Sequence, residues 1–173
     1  MGDRNKKFAD MIVNYSCSVQ PGERVLINEV GTAAKPLIKE IIRAVYKAGG
    51  QPFLGLSDST LNREIIMNCT EEQLKMMAER DAHEMSQMDA FIGVRANDNS
   101  SELSDVPAEK MEMYEKIYST PVHHGIRVPK TKWVVLRFPT SSMAQASGMS
   151  FEAFEDYFYN VCNLDYSKME KAA

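Results

Sequence analysis

Apolar residues recur along this chain in two alternating rhythms. Phe8, Met11, Ile12 and Tyr15 fall at helical spacing and predict an amphipathic helix over roughly residues 4–16. Pro21-Gly22 then makes a turn, and RVLIN at 24–28 reads as a strand. Between Thr32 and Gly49-Gly50 the pairs Leu37/Ile38, Ile41/Ile42 and Val45/Tyr46 step by four, one face of a helix closed by glycine. PFLGL at 52–56 follows as a second strand. Strand, helix and strand joined by short connections make a βαβ unit, so a parallel sheet is the expectation.

The rhythm continues beyond a polar stretch that ends at Thr70. Thr70-x-x-Gln73 is a capping box for a helix carrying Leu74, Met77, Met85 and Met88, and AFIGV at 90–94 is a third strand. ANDNSSELSDVP at 96–107 is the longest loop, and Asp105 and Pro107 announce a helix with Met111, Tyr114 and Ile117 on one side. Pro121 to Pro129 reads as a proline-bounded connector. KWVVLRF at 132–138 is the most continuous apolar run, a pattern that suits a parallel strand covered on both faces. SSMAQAS predicts a short helix closed by Gly148, and Ser150 caps a last helix with an apolar stripe through Phe151, Phe154, Tyr157/Phe158 and Val161/Cys162. The predicted fold class is α/β: a small doubly wound, mostly parallel sheet of four or five strands with helices on both faces. Residues 1–173 form one domain in this reading.

Composition narrows the function classes. Lys and Arg total 20 against 24 Asp and Glu, a net charge of −4 with both signs interspersed, which argues against a nucleic-acid partner. No apolar run approaches the roughly 20 residues that span a bilayer, so no membrane partner is expected. The start MGDRNKKFADMI lacks the apolar core of a signal peptide, and Lys6 stands where a myristoylation signal needs Ser or Thr. Cys17, Cys69 and Cys162 are odd in number and far apart, which fits a reducing cytoplasm and small buried apolar groups.

Most candidate chemistry fails at a required position. NEVGT at 28–32 holds one glycine and an acidic Glu29 where a dinucleotide fold needs a glycine-lined cradle. His83-Glu84-Met85-Ser86-Gln87 approaches a zincin helix but has Gln87 in place of the second histidine. His123 and His124 are adjacent, with no ligand at metal-motif spacing. Ser141 and Ser142 lack the glycines of a nucleophile elbow. Glu152, Glu155 and Asp156 suit the first turns of a helix, and the twelve methionines are dispersed as core filling. Asn97 and Arg137, at or beyond the carboxyl ends of the third and fourth strands, with Thr140 and Gln145 close behind, are placed to line a cleft. For Arg137 a surface ion pair is the open alternative.

Three stretches carry a family resemblance: QPGERVLI at 20–27, NSSELSDVPAEK at 99–110 and WVVLRFPTSSMAQASGMSFEAFEDYFYNVCNLDY at 133–166. Together they resemble the amino-terminal domain of the thermophilic aminopeptidase T family of metallopeptidases, which includes aminopeptidase S. The resemblance runs in the same order over nearly the whole chain. It implies an α/β domain that precedes a separate catalytic domain, where glutamates, histidines and an aspartate hold two divalent metal ions (zinc, cobalt or manganese). It further implies a homodimer whose active sites face an enclosed cavity, and a peptide as substrate.

None of the family's catalytic or metal-binding positions has a counterpart here, so no catalytic and no metal residue is carried over. The expectation is an amino-terminal domain ending near LDYSKMEKAA, as an excised or truncated piece, inert alone and without bound metal. Its missing partner is the carboxy-terminal catalytic domain. Two other readings compete: a free-standing module binding a small peptide or anion near Asn97, Arg137 and Gln145, and a small metallohydrolase built on His83, His123 and His124.

Overall fold

In the computed structural model, residues 2–163 are described. The LDYSKMEKAA tail, where the domain boundary is expected, lies outside them. Helix α1 (Gly2–Met11) runs into a π-helical turn, Ile12–Ser16, and then strand β1 (Arg24–Gly31). The order continues α2 (Lys35–Lys47), β2 (Gln51–Ser57), α3 (Ser59–Asn68), α4 (Glu71–Ser86) and β3 (Ala90–Ala96). After the loop come α5 (Ala108–Tyr114), a π-helical stretch Glu115–Arg127, α6 (Val128–Lys130), β4 (Lys132–Arg137), α7 (Ser141–Ala146) and α8 (Phe151–Cys162).

The four strands form one parallel sheet in the order β2-β1-β3-β4. Period-two alternation sends Val25 and Ile27 of β1 and Ala90, Ile92 and Val94 of β3 to one face. There they meet Phe8 and Val13 at the amino terminus, Leu37, Ile41 and Val45 of α2, and Tyr159 of α8. Leu26 and Phe91 point the other way, into a smaller core with Ala78 and Met85 of α4 and Val122 of the π-helical stretch. Helices therefore cover both faces, as the doubly wound expectation requires.

The local signals hold at several caps. Thr70 Oγ1 accepts the Gln73 amide at 3.2 Å, Ser150 Oγ accepts the Ala153 amide at 3.2 Å, and Gly148 takes φ +66° just past α7.

Three expectations need correction. The polar stretch before Thr70 contains α3, nucleated by Asp58, whose Oδ1 accepts the Thr60 and Leu61 amides. Polar residues at its start hide it, because the burial signal rests on Ile66. The connector between Pro121 and Pro129 is helical: the π-helical stretch continues through Pro121 and passes into α6, whose first turn takes Pro129. β4 is an edge strand: Trp133 and Val135 remain 46% and 37% exposed, so the run is apolar without being covered on both faces.

Candidate functional site

The chain leaves β1 toward α2 on one face and leaves β3 toward α5 on the other. The two departing loops therefore diverge between adjacent strands, which opens a crevice at the carboxyl ends of the sheet. Close approach of those loops depends on Gly31. It sits at φ +95°, and a Cβ there would lie 2.5 Å from the Ala96 carbonyl oxygen and 2.8 Å from the Asn97 nitrogen. No other residue fits that position without moving backbone.

A cleft of about 420 Å³ occupies this switch point. Its wall is polar and acidic: Asp58, Asp98 and Glu102 contribute carboxylates, Asn97, Asn99 and Thr140 contribute neutral groups, and Phe151 closes one side. Among the described residues no Lys, Arg or His lines it. The carboxylates are already engaged by the fold. Asp58 caps α3, and its hydrogen bonds from the Thr60 hydroxyl and amide hold its pKa below the usual aspartate range. Asp98 Oδ1 accepts the Ser142 amide at 3.2 Å, and Glu102 Oε2 accepts Asn99 Nδ2 at 2.8 Å. Buried Thr140 caps α7 through the Met143 amide and shares a hydrogen bond with Ser142 Oγ at 3.0 Å.

The four residues expected at a cleft are divided. Asn97 and Thr140 line it, and Asn97 Nδ2 donates to the Asn99 carbonyl at 3.0 Å. Arg137 and Gln145 do not. Alternation turns Arg137 onto the sheet face beside Arg95, and Gln145 stands on the exposed side of α7 while its neighbour Ala144 is buried. Asp58 and Asp98 line the cleft without having been expected there. An Asp-Ser-Thr run directly after a strand is the signal that marks Asp58 as a helix cap.

Glu29 has a different task from repelling phosphate. It is buried in β1, and its Oε1 accepts the Ala34 amide at 3.0 Å, so its carboxylate occupies the anion position at the start of α2. Burial pushes its pKa up against the opposing pull of that amide and of Lys35.

The histidines stay apart in role. His83 lies exposed on α4, His124 Nε2 sits 3.8 Å from Glu115, and His123 packs edge-on to Tyr118 with ring centroids 6.1 Å apart. Among the described residues no three His, Cys, Asp or Glu side chains are grouped to hold a metal ion.

Residues 2–172 match the family model described as thermophilic metalloprotease (M29). The chain belongs to that family. No curated protein matches the sequence. Among solved structures, wild-type AmpT from Thermus thermophilus superposes with a TM-score of 0.65 at 17% identity, covering 93% of this chain and 43% of that one. The CurK enoyl reductase gives a TM-score of 0.36 at 14% identity over 93% of this chain and 50% of its own. A LacI-family repressor from Corynebacterium glutamicum gives 0.31 at 11% identity, over 79% and 60%. The AmpT likeness shows a shared α/β fold, and this chain spans less than half of AmpT's length.

M29 membership implies a divalent metal. The described residues do not fit one: the carboxylates that line the cleft are committed to backbone and side-chain amides, and among the described residues no imidazole or thiol joins them.

Proposed function

We propose that this chain is the amino-terminal α/β domain of a metal-dependent aminopeptidase, an enzyme that releases amino-terminal residues from peptides. The domain is inert alone, and in the parent it walls the catalytic cavity, limits substrate access and aids assembly of a homodimer. The metal pair and the catalytic residues belong to a carboxy-terminal domain. A reducing cytoplasm suits its three free cysteines, two of them buried.

One observation carries this reading. An M29 match over residues 2–172 falls on a fold corresponding to 43% of AmpT, and within it no metal-ligand group assembles among the described residues. The test is hydrolysis of aminoacyl p-nitroanilides by the chain and by the gene product translated to its own stop codon, each with zinc, cobalt or manganese. Metal-dependent release by the longer product alone supports the assignment. Equal release by the chain contradicts it.

The cleft favours a second reading, a free-standing module for a small peptide. Among the described residues its wall holds three carboxylates and no cation, which opposes an anionic ligand and favours a ligand that presents an ammonium group. Ligand-dependent melting separates this reading from the first.

A further inference from the structure

The register of β3 and β4 sets Phe91 beside Trp133, Gly93 beside Val135 and Arg95 beside Arg137, and the strand period places all six on one face. Arg127, from the adjacent π-helical stretch, extends its guanidinium over the same shelf, 5.0 Å from the Phe91 ring centroid and 5.7 Å from that of Trp133. Three arginines thus surround the exposed surfaces of Trp133 and Val135.

These arginines differ from the rest. Arg4, Arg43, Arg63 and Arg80 each hold a carboxylate, and Arg24 donates to Gln87. Arg95, Arg127 and Arg137 make no ion pair and donate no side-chain hydrogen bond among the described residues, and Arg127 Nε is buried without an acceptor. Two like charges directly opposite one another on a sheet are unfavourable, yet here they stand on a chain of net charge −4. Neighbouring His123 shows the consequence: burial first, then Arg127 and Arg95, push its pKa down to about 4.

Among the described residues the outward backbone beside this shelf is also unpaired. Lys132 N donates to Asp89 O at 3.0 Å and Phe138 N to Arg95 O at 2.8 Å. Alternation therefore turns the amides of Trp133, Val135 and Arg137 to the outer side of β4, the end of the sheet.

We propose that this edge docks an extended acidic polypeptide segment, which adds as a strand beside β4 and sets carboxylates against Arg95, Arg127 and Arg137. Charge selects the occupant. A second copy pairing antiparallel through β4 about Val135 would set outward Arg137 against outward Trp133 and so beside the Arg127 that lies over that ring, cation against cation. A nucleic acid would meet the three arginines but also the repulsion of an acidic protein. The inference stands independently of the peptidase reading.

Trp133 is the sole tryptophan, so its fluorescence reports occupancy directly. The experiment titrates the full chain with a capped peptide of about eight residues alternating Glu and Thr, long enough to span an ordinary strand. A Lys-for-Glu peptide, a proline-interrupted acidic peptide and single-stranded oligothymidine run beside it. A saturable change with the acidic peptide alone is expected. It should weaken at least about tenfold between about 0.05 and 0.5 M salt, and similarly in the R95E/R137E variant, with folding checked by circular dichroism. No saturable change with the acidic peptide would overturn the proposal, as would equal binding of the Lys peptide, tighter binding of oligothymidine or unchanged affinity in the folded variant.

Discussion

Glu29 Oε1 accepts the Ala34 amide at 3.0 Å, a buried carboxylate of β1 supplying the cap that the start of α2 lacks from its own side chains. Glu29→Ala removes the acceptor and leaves a buried amide unpaired, at a cost of about 1–3 kcal/mol in urea unfolding. Glu29→Gln keeps an acceptor and removes the charge. Because burial raises the native pKa of Glu29, the native state binds more protons above the ordinary glutamate value of about 4.3. Stability from this group falls as pH rises through that window and levels above the raised value. The stability of Glu29→Gln relative to the unchanged chain should therefore increase as pH rises above the ordinary glutamate value and level off once the raised pKa is passed.

His123 works with the opposite sign. Its pKa is pushed down to about 4 from an ordinary value of 6.5, so the unfolded chain binds the extra proton between those values. The contribution is complete above about pH 6.5 and is lost as pH falls toward 4. His123→Gln should flatten the pH dependence of the unfolding midpoint in that interval and leave it parallel to the unchanged chain above it.

Gly31 and Gly55 offer a paired test of the switch point. Gly31→Ala drives a Cβ to 2.5 Å from the Ala96 carbonyl oxygen at φ +95°, where only backbone movement relieves it. A loss of about 2–4 kcal/mol in thermal or urea unfolding is expected, from strain and displaced backbone together. Gly55→Ala meets the Asn28 Nδ2 at 3.1 Å, the end of a side chain that can turn aside, and should cost far less.

Asn5 and Tyr159 join α1 to α8 through a buried hydrogen bond from the Tyr159 hydroxyl to Asn5 Oδ1, beside the edge-on packing of Tyr159 against Phe8. Asn5→Ala strands the hydroxyl and Tyr159→Phe strands the amide, each costing about 1–3 kcal/mol. The double variant removes both polar groups and should cost less than the sum of the two, a coupling that a double-mutant cycle reads directly.

Much of this architecture was legible because apolar runs such as RVLIN and AFIGV are short, dense and bounded by turns. What escaped has physical causes. α3 starts with polar residues and buries Ile66 alone, so periodicity was silent and only the Asp58 cap marked it. β4 reads as a central strand because Trp133 and Val135 are apolar whether or not anything covers them. Proximity to a strand's carboxyl end located Asn97 and Thr140 at the cleft. It misplaced Arg137, whose direction is set by strand parity, and Gln145, whose direction is set by the turn of α7. The Arg95, Arg127 and Arg137 grouping needs cross-strand register, which no local pattern encodes.

The central proposal is that the catalytic metal centre of this M29 protein lies outside the residues of this chain. Equilibrium dialysis of the purified 173-residue chain against zinc, cobalt and manganese, followed by metal quantification and aminoacyl p-nitroanilide hydrolysis on the same sample, tests it most directly. The account predicts metal far below stoichiometric and hydrolysis at the blank rate. Stoichiometric retained metal with metal-dependent turnover would contradict it.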